Sequence, residues 1–274
     1  MAVEPKLRLT AGQALVRWMI AQQVETAGGI RPYFAGVWAI FGHGNVAGLG
    51  EALAAASDDL PTLRAHSEQG MAHAAIAFAK QNRRERAMAC TSSIGPGATN
   101  MVTAAALAHV NRLPILLLPG DVFASRRPDP VLQQLESFGD PTTSVNDCLR
   151  PVSRLFDRIL RPEQLIDALP RAMAVLTDPA ACGPVTLCLC QDVQAEAFDY
   201  PVSLFRTRVW RRRRPIGSSR SRRSGDGAAQ CPRAADRGGR GCSLRSRRKR
   251  ACTVCGRHRH SGCGNPGGEG RDAR

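Results

Sequence analysis

The residues with the clearest capacity for chemistry surround Glu68, in the segment His66-Ser67-Glu68-Gln69-Gly70-Met71-Ala72-His73. An extended run at 61–66 leads into this acid. Behind it, apolar residues recur at helical spacing: Met71, Ala74, Ala75, Phe78 and Ala79. Ser67 is a candidate N-cap, which places Glu68 in the first turn of a helix at the edge of a packed core. A carboxylate held there could exchange a proton with a bound heterocycle, or it could simply complement the helix dipole.

A second segment, Cys90-Thr91-Ser92-Ser93-Ile94-Gly95-Pro96-Gly97-Ala98-Thr99-Asn100, has the pattern of a strand that turns into a helix. Its apolar run ends in small residues, and a new helical pattern opens after Gly97. Gly-Pro-Gly at such a junction lets backbone approach a ligand closely and directs free N–H groups at it. By itself, a glycine turn between strand and helix is common and weak evidence for a site.

Together, the two segments resemble the pyrimidine-binding domain of thiamine diphosphate enzymes. Those enzymes pair a Glu-Gln-x-x-x-His-x-Ala helix with a Gly-Pro-Gly-Ala-Thr-Asn turn, and both patterns stand in this sequence. The resemblance implies that Glu68 is catalytic, because the family's glutamate hydrogen-bonds a ring nitrogen of the aminopyrimidine and activates the cofactor. It also implies that Glu68, Pro96 and Asn100 contact the cofactor.

Further segments narrow the resemblance. Residues 41–50 stand where acetolactate synthase relatives would show a Gly-x-Pro-Gly loop. These residues and the segments 109–114, 119–123, 129–134, 146–147 and 150–154 look like the hydrolases that open the ring of a trihydroxycyclohexane-1,2-dione in inositol breakdown. The resemblance implies hydrolytic carbon–carbon cleavage, with His43 and Asn45 as candidate substrate contacts. A solvated loop histidine is the alternative for His43, and an acetolactate synthase-like enzyme is the alternative for the chain.

The same resemblance implies cofactors and partners. Family members hold the diphosphate of thiamine diphosphate through Mg²⁺ in a later, C-terminal domain, and their active sites form between subunits. We therefore expect no metal ligands in residues 1–205 and a homodimer or homotetramer in the full-length form. We also expect this 274-residue chain to be a truncated enzyme with little activity alone.

Composition divides the chain near residue 206. Residues 206–274 hold 21 of the 38 Lys and Arg but only 4 of the 23 Asp and Glu, a net charge of +17, whereas residues 1–205 carry 17 basic and 19 acidic side chains. The tail contains only five large apolar side chains: Val209, Trp210, Ile216, Leu244 and Val254. That is too few to offset the roughly 1–2 kcal/mol per residue needed to order a backbone, so we expect disorder. The high pI thus describes the tail alone.

Three interpretations of the tail compete. Its arginines could bind nucleic acid, and Cys252, Cys255, His258, His260 and Cys263 are spaced like zinc ligands. The abrupt change favours the third interpretation, a shifted reading frame, which argues against nucleic-acid binding and makes the cysteine–histidine cluster accidental. Gly225-Asp226-Gly227 mimics the start of a magnesium and diphosphate motif, but no apolar strand precedes it, so we interpret it as a chance match.

Residues 1–205 alternate strand-like and helical segments, which predicts one α/β domain: a doubly wound parallel sheet with helices on both faces. Predicted strands include 37–41, 115–118 and 185–189, and predicted helices include 49–56 and 163–177. No segment is apolar enough to cross a membrane and no targeting segment is visible. The five cysteines before residue 206 lie mostly in apolar runs, which favours reduced core cysteines and a cytoplasmic protein.

Overall fold

A six-stranded parallel β-sheet organises the protein, as seen in a computed structural model that describes residues 4–125, 132–133, 139–140 and 142–211. The strands are β1 (Lys6–Thr10), β2 (Gln22–Thr26), β3 (Gly29–Pro32), β4 (Phe34–Ile40), β5 (Thr62–Arg64), β6 (Ala87–Ser92), β7 (Ile115–Asp121), β8 (Leu155–Ile159), β9 (Pro184–Cys190), β10 (Ala197–Pro201) and β11 (Arg208–Trp210). The α-helices are α1 (Ala11–Ala21), α2 (Glu51–Ala55), α3 (Glu68–Gln81), α4 (Pro96–Thr99), α5 (Val102–Asn111) and α6 (Leu165–Thr177).

The order of strands in the main sheet is β5-β4-β6-β7-β9-β8, and all neighbouring pairs are parallel. The chain leaves β4 toward β5 at one edge, whereas it leaves β6 toward β7 in the opposite direction. In open α/β sheets, ligands bind in the crevice at the carboxyl ends of two neighbouring strands whose connections diverge in this way. The topology therefore predicts a binding site beyond the carboxyl ends of β4 and β6.

Helices cover both faces of this sheet, because alternate strand residues enter two separate cores. On β6, Ala87 and Ala89 belong to the core formed with α1, α2 and α6, whereas Met88 and Cys90 belong to the core formed with α3 and α5. All residues of β7 and β9 are buried, which is why these strands show continuous apolar runs in the sequence. The predicted doubly wound α/β fold is confirmed.

Local signals fix where the helices begin. Thr10 and Gln13 form a capping box at the start of α1: the Thr10 hydroxyl accepts from the Gln13 amide at 3.2 Å, and the Gln13 side chain accepts from the Thr10 amide at 3.1 Å. The helix predicted at 163–177 is present, but its start is a 3₁₀ turn at Pro162–Gln164 that leads into α6. The helix predicted at 49–56 is also preceded by a π-helical turn, Val46–Gly50.

Several strands were not predicted. The edge strand β8 is mostly half-buried, and the hairpin formed by β2 and β3 is rich in polar and exposed residues, so neither shows a strong apolar pattern. In the segment 206–274, expected to be disordered, β11 pairs in parallel with β2. Residues 212–274 lie outside the described residues, so the tail and its boundary after residue 205 stay predictions.

The cysteines of the described residues are thiols rather than disulfides. Cys90, Cys182, Cys188 and Cys190 are buried, and burial raises the pKa of Cys90 and of Cys188 well above the ordinary value for a thiol. A thiol whose pKa is raised in this way is a poor nucleophile at neutral pH, so Cys90 and Cys188 act in packing. Among the helices of the described residues, none has the length and apolar character needed to cross a membrane.

Candidate functional site

Glu68 occupies the first position of α3, at the carboxyl edge of the sheet. Ser67 is the N-cap, with extended backbone, and its hydroxyl accepts a hydrogen bond from the Gly70 amide at 3.1 Å. This cap fixes the direction of the first helical turn and so the position of the Glu68 side chain. Glu68 is half-buried, as predicted for an acid at the edge of a core.

The structure brings the two sequence motifs together. The Asn100 side-chain amide donates a hydrogen bond of 2.9 Å to Glu68 Oε2. The other carboxylate oxygen, Oε1, lies over Gly97, where an added Cβ would stand 3.1 Å from it. That spacing is tighter than most side chains accept, so a glycine at this position leaves room for the carboxylate. The sequence motif alone assigned no separate role to Gly97.

The Gly-Pro-Gly turn has the backbone that these residue types favour. Gly95 has a φ of +73°, in the region where a residue with a Cβ is strained. Pro96 follows as the first residue of α4, where its fixed φ suits a helix start, and its ring is exposed. Pro96 and Asn100 are both exposed, and Gly97 and Asn100 are the residues of this segment that approach Glu68.

The loop that carries His43 and Asn45 lies at the carboxyl end of β4. Asn45 is buried, and its amide group binds within the protein: it accepts from the Gly42 amide at 3.0 Å and donates to the Thr91 hydroxyl at 2.9 Å. These bonds hold the loop against β6. A contact between Asn45 and substrate stays a prediction, and the observed bonds give Asn45 a role in positioning His43.

A group of buried polar atoms without hydrogen-bond partners lies around this loop and the end of β6. Within the described residues, His43 Nε2, Ser92 Oγ and Ser93 Oγ are buried and have no hydrogen-bond partner. A buried polar group left unpaired costs roughly 1–3 kcal/mol, so such groups commonly mark a place where a ligand completes the bonding. The two serines were part of a motif predicted from sequence, but only the structure shows that their hydroxyls lack partners.

A polar network that the sequence did not predict lies at the carboxyl end of β7. Asp121 is fully buried and binds Arg158, with 2.7 Å between Asp121 Oδ2 and Arg158 Nε. The Ser144 hydroxyl and the Val122 amide donate to Asp121 Oδ1. Arg158 also contacts Asp147, with 3.1 Å between Nη2 and Oδ1. No single-sequence signal marks Arg158, because its partners are distant in the chain.

The charges in this network shift one another's pKa values. Burial lowers the pKa of Arg158, but the carboxylates of Asp121 and Asp147 together raise it above the ordinary value. Burial raises the pKa of Asp147, yet the Ser144 amide, Arg150 and Arg158 together hold it below the ordinary value. Both groups therefore stay charged at neutral pH, and the network holds the 3₁₀ turn Val145–Leu149 against the sheet.

Comparisons with known proteins show which family the sequence is similar to. Residues 34–140 match the family described as thiamine pyrophosphate enzyme, N-terminal TPP binding domain. A 3D-(3,5/4)-trihydroxycyclohexane-1,2-dione hydrolase 1 from Bacillus cereus is 54% identical over 215 residues, which are 78% of this chain and 33% of the relative. A 3D-(3,5/4)-trihydroxycyclohexane-1,2-dione hydrolase from Listeria monocytogenes is 50% identical over 217 residues, 79% of this chain and 34% of that relative.

These similarities confirm the resemblance predicted from the motifs. The matched region, 34–140, contains every residue predicted to act in the site: His43, Asn45, Glu68, Pro96 and Asn100. The chain spans about one third of the length of the curated relatives it matches.

The described residues contain no cluster of candidate metal ligands. In the ranges that the structure describes, no group of three or more His, Cys, Asp or Glu side chains could hold a metal ion. The cysteine–histidine cluster at 252–263 and Gly225-Asp226-Gly227 lie outside the described residues, so their predicted lack of a metal role stays a prediction.

Proposed function

We propose that this chain supplies the aminopyrimidine side of a thiamine diphosphate site, with Glu68 as the catalytic acid. The observation that carries the proposal is the 2.9 Å hydrogen bond between Asn100 and Glu68, which joins the C-cap of α4 to the first turn of α3. Asn100 holds one carboxylate oxygen, so the carboxylate has a fixed direction. The other oxygen keeps acceptor capacity for a ligand.

The residues present fit the aminopyrimidine group. A carboxyl group at the edge of a core can hold a proton at a ring nitrogen of the aminopyrimidine. An acid that only complements the helix dipole needs no such ring nitrogen. The absent side chain of Gly97 leaves space beside Glu68 Oε1, and Pro96 presents an exposed, rigid ring nearby. When bound, the cofactor supplies a nucleophilic carbon and then accepts the electron pair of the bond that breaks. The protein's part is to hold the ring and place the proton.

For the reaction, we propose hydrolytic ring opening of a trihydroxycyclohexane-1,2-dione, the substrate named for the relatives. The bond between the two carbonyl carbons breaks and one water is consumed. One carbonyl carbon gains hydroxyl and becomes a carboxylic acid, and the other gains hydrogen and becomes an aldehyde, which yields a deoxy-glucuronic acid. An acetolactate synthase-like reaction is the alternative, but the curated relatives described above carry the hydrolase name.

The unpaired polar atoms at the ends of β4 and β6 support a substrate position there. His43 Nε2, Ser92 Oγ and Ser93 Oγ can bind the hydroxyl and carbonyl groups of a cyclic polyol, and each lacks a hydrogen-bond partner in the described residues. They lie at the crevice that the sheet topology predicts for a ligand. Asn45 contributes by holding the loop on which His43 lies.

We further propose that a second chain completes the site, in a homodimer or homotetramer. Glu68 is half-buried and both Pro96 and Asn100 are exposed, so the surface formed by the described residues leaves the cofactor open to water. Closing such a site needs another protein surface, which would also carry the Mg²⁺ ligands for the diphosphate. Exclusion of water protects the reactive cofactor carbon and strengthens the bonds from Glu68.

Titration of this chain with thiamine diphosphate, followed by amide NMR, tests the assignment. We expect saturable shifts at residues 68–70 and 97–100 with a Kd of about 1–10 mM, since only the pyrimidine side is held. Glu68→Ala should weaken these shifts. Glu51→Gln is the control, because Glu51 also lies in the first turn of a helix but is exposed and outside the site. Absence of localised shifts at about 10 mM cofactor would remove the proposal.

A titration with thiamine diphosphate in the presence of Mg²⁺ provides a second test. We expect Mg²⁺ to leave the Kd of thiamine diphosphate for this chain nearly unchanged, because the described residues offer no metal-ligand cluster. A micromolar, Mg²⁺-dependent isotherm would show that the diphosphate ligands lie within these 274 residues, and the need for a second chain would then be wrong.

A further inference from the structure

A basic cleft lies at the opposite end of α3 from Glu68. It has a volume of about 300 Å³ and lies between the β2–β3 hairpin and the turn that joins α3 to β6. Arg31 lines it from the hairpin, and Arg83 and Arg86 line it from the turn; these three residues define the arginine cleft. Since α3 has 14 residues at about 1.5 Å each, the cleft is roughly 20 Å from the cofactor site.

Arg86 is held in a fixed position at the floor of this cleft. Its Nε donates a hydrogen bond of 2.8 Å to the Pro32 carbonyl, and its guanidinium lies over the Phe78 ring at 5.6 Å from the centroid. The residue is half-buried rather than fully solvated.

Within the described residues, the three arginines that define the cleft form no ion pair. In the described ranges, no carboxylate oxygen lies within 4.0 Å of a side-chain nitrogen of Arg31, Arg83 or Arg86. Burial lowers the pKa of the Arg86 guanidinium, and the nearby charge of Arg31 lowers it further. Glu85 also lines the cleft, so the four side chains sum to a charge of +2.

The turn that forms the cleft has an unusual backbone. Arg83 and Arg84 have φ values of 54° and 63°, and two consecutive left-handed residues that are not glycine are strained by contact between Cβ and the following carbonyl oxygen. The Arg84 amide donates to the Ala79 carbonyl at 2.7 Å, which ends α3 and reverses the chain. As a result, Arg83 and Arg86 lie in the same cleft as Arg31. Strained backbone of this kind clusters at functional sites.

We propose that the arginine cleft binds a phosphate monoester of a small hydroxylated molecule. A dianion balances the charge of the cleft, and planar guanidinium groups bind phosphate oxygens in pairs of charge-assisted hydrogen bonds. Gln81 and Asn82 line the same space and offer side-chain amides for hydroxyl groups. The Asn82 Nδ2 group already donates to the Phe78 carbonyl at 2.9 Å, so the Asn82 oxygen is the acceptor available to a ligand.

Amide and arginine Nε NMR of the full chain separates this cleft from the basic tail, because the signals are resolved by residue. The probes are glucose 6-phosphate, inorganic phosphate and glucose at constant ionic strength. We expect saturable shifts at residues 26–31 and 81–86 with glucose 6-phosphate and a Kd at least about tenfold lower than that of inorganic phosphate, since the amides add hydroxyl contacts. Glucose alone should produce no saturable shift.

The test variant is the double substitution Arg31→Gln and Arg83→Gln, at two exposed positions. It should raise the Kd for glucose 6-phosphate about 10–100-fold, the usual effect of removing charge-assisted hydrogen bonds. Arg171→Gln is the matched control, because Arg171 is 63% exposed and outside the cleft, and it should leave the Kd unchanged. Shifts confined to the tail, or an unchanged Kd in the double variant with a native melting temperature, would overturn the site. Equal affinity for inorganic phosphate would overturn the assignment of an ester.

Discussion

Two carboxylates at the same edge of the sheet have opposite surroundings. Asp121, at the end of β7, is fully buried and accepts bonds from Ser144, Val122 and Arg158. Glu68, at the start of α3, is half-buried and accepts from Asn100, with an oxygen left over Gly97. A carboxylate whose two oxygens are both held by donors of the protein stabilises the fold. A positioned carboxylate with unused acceptor sites is available to a ligand.

The largest expected effect is the loss of turnover when Glu68 is replaced by Gln. Glu68→Gln keeps the size and the bond to Asn100 but cannot hold or release a proton at a ring nitrogen. In a chimera where residues 1–205 replace the matching third of the Bacillus cereus relative, turnover should fall about 10²–10⁴-fold, or roughly 3–5 kcal/mol of barrier. The melting temperature should change little. Steady-state turnover at saturating cofactor measures the effect.

Glu51→Gln in the same chimera is the control for Glu68. Both acids lie in a first helical turn, so a role limited to the helix dipole predicts equal, small effects on stability for the two variants and no loss of turnover. Near-normal turnover in Glu68→Gln would show that Glu68, like Glu51, has no catalytic role.

The next effect concerns Asp121. Asp121→Asn removes the charge that pairs with Arg158, which is only 17% exposed, and leaves that guanidinium partly buried without its nearest partner. We expect a loss of about 3 kcal/mol in the free energy of unfolding of this chain, measured by urea denaturation. Asp199→Asn is the matched control, because the Arg8–Asp199 pair is 70% and 51% exposed and should contribute no more than about 1 kcal/mol.

If Asp121→Asn left stability unchanged while it lowered cofactor binding, the contrast between the two carboxylates would be wrong. Asp121 would then act on the cofactor site, through the loop that its bonds to Ser144 hold in place.

The sequence predicted the region around Glu68 better than the region around Asp121. Glu68 and Pro96 lie in contiguous motifs whose caps and glycines act locally, so a single sequence was enough to place them at helix starts. Asn100 follows as the C-cap of α4. The pair formed by Asp121 and Arg158 spans 37 residues, and only the tertiary fold brings the two side chains together. Local signals such as caps and glycine turns have a fixed spacing in the sequence. Long-range pairs have no fixed spacing, so a single sequence carries no signal for them.

The fold shows the same division. Buried strands such as β7 and β9 were predicted because burial on both faces requires unbroken apolar residues. The half-buried edge strand β8 and the polar strands β2 and β3 were missed, since pairing at an edge depends on neighbours rather than on hydrophobicity.

A smaller effect is expected at Gly97. Gly97→Ala places a Cβ about 3.1 Å from Glu68 Oε1, so the carboxylate must shift by a few tenths of an ångström. We expect the Kd for thiamine diphosphate to rise about tenfold, or roughly 1.4 kcal/mol, because a positioned group has moved. Amide NMR titration measures the change. Gly139→Ala is the control, since nothing lies within 4 Å of the added carbon there. Unchanged binding in Gly97→Ala would show that the position of Glu68 Oε1 does not matter.

The smallest effect is a pH dependence of stability that arises from Asp147. The pKa of Asp147 is held below its ordinary value by the Ser144 amide, Arg150 and Arg158, against the raising effect of burial. A group with a lowered pKa in the folded state stabilises the protein above its unfolded pKa, near pH 4, and that contribution is lost as the pH falls through the folded value. We therefore expect the free energy of unfolding to decline below about pH 4, by no more than about 1 kcal/mol for this residue, because Asp147 is 28% exposed. Urea denaturation at several pH values should show a shallower decline in Asp147→Asn than in the unsubstituted chain. Identical slopes in the two proteins would assign the acid sensitivity to other carboxylates and leave Asp147 outside the structural network.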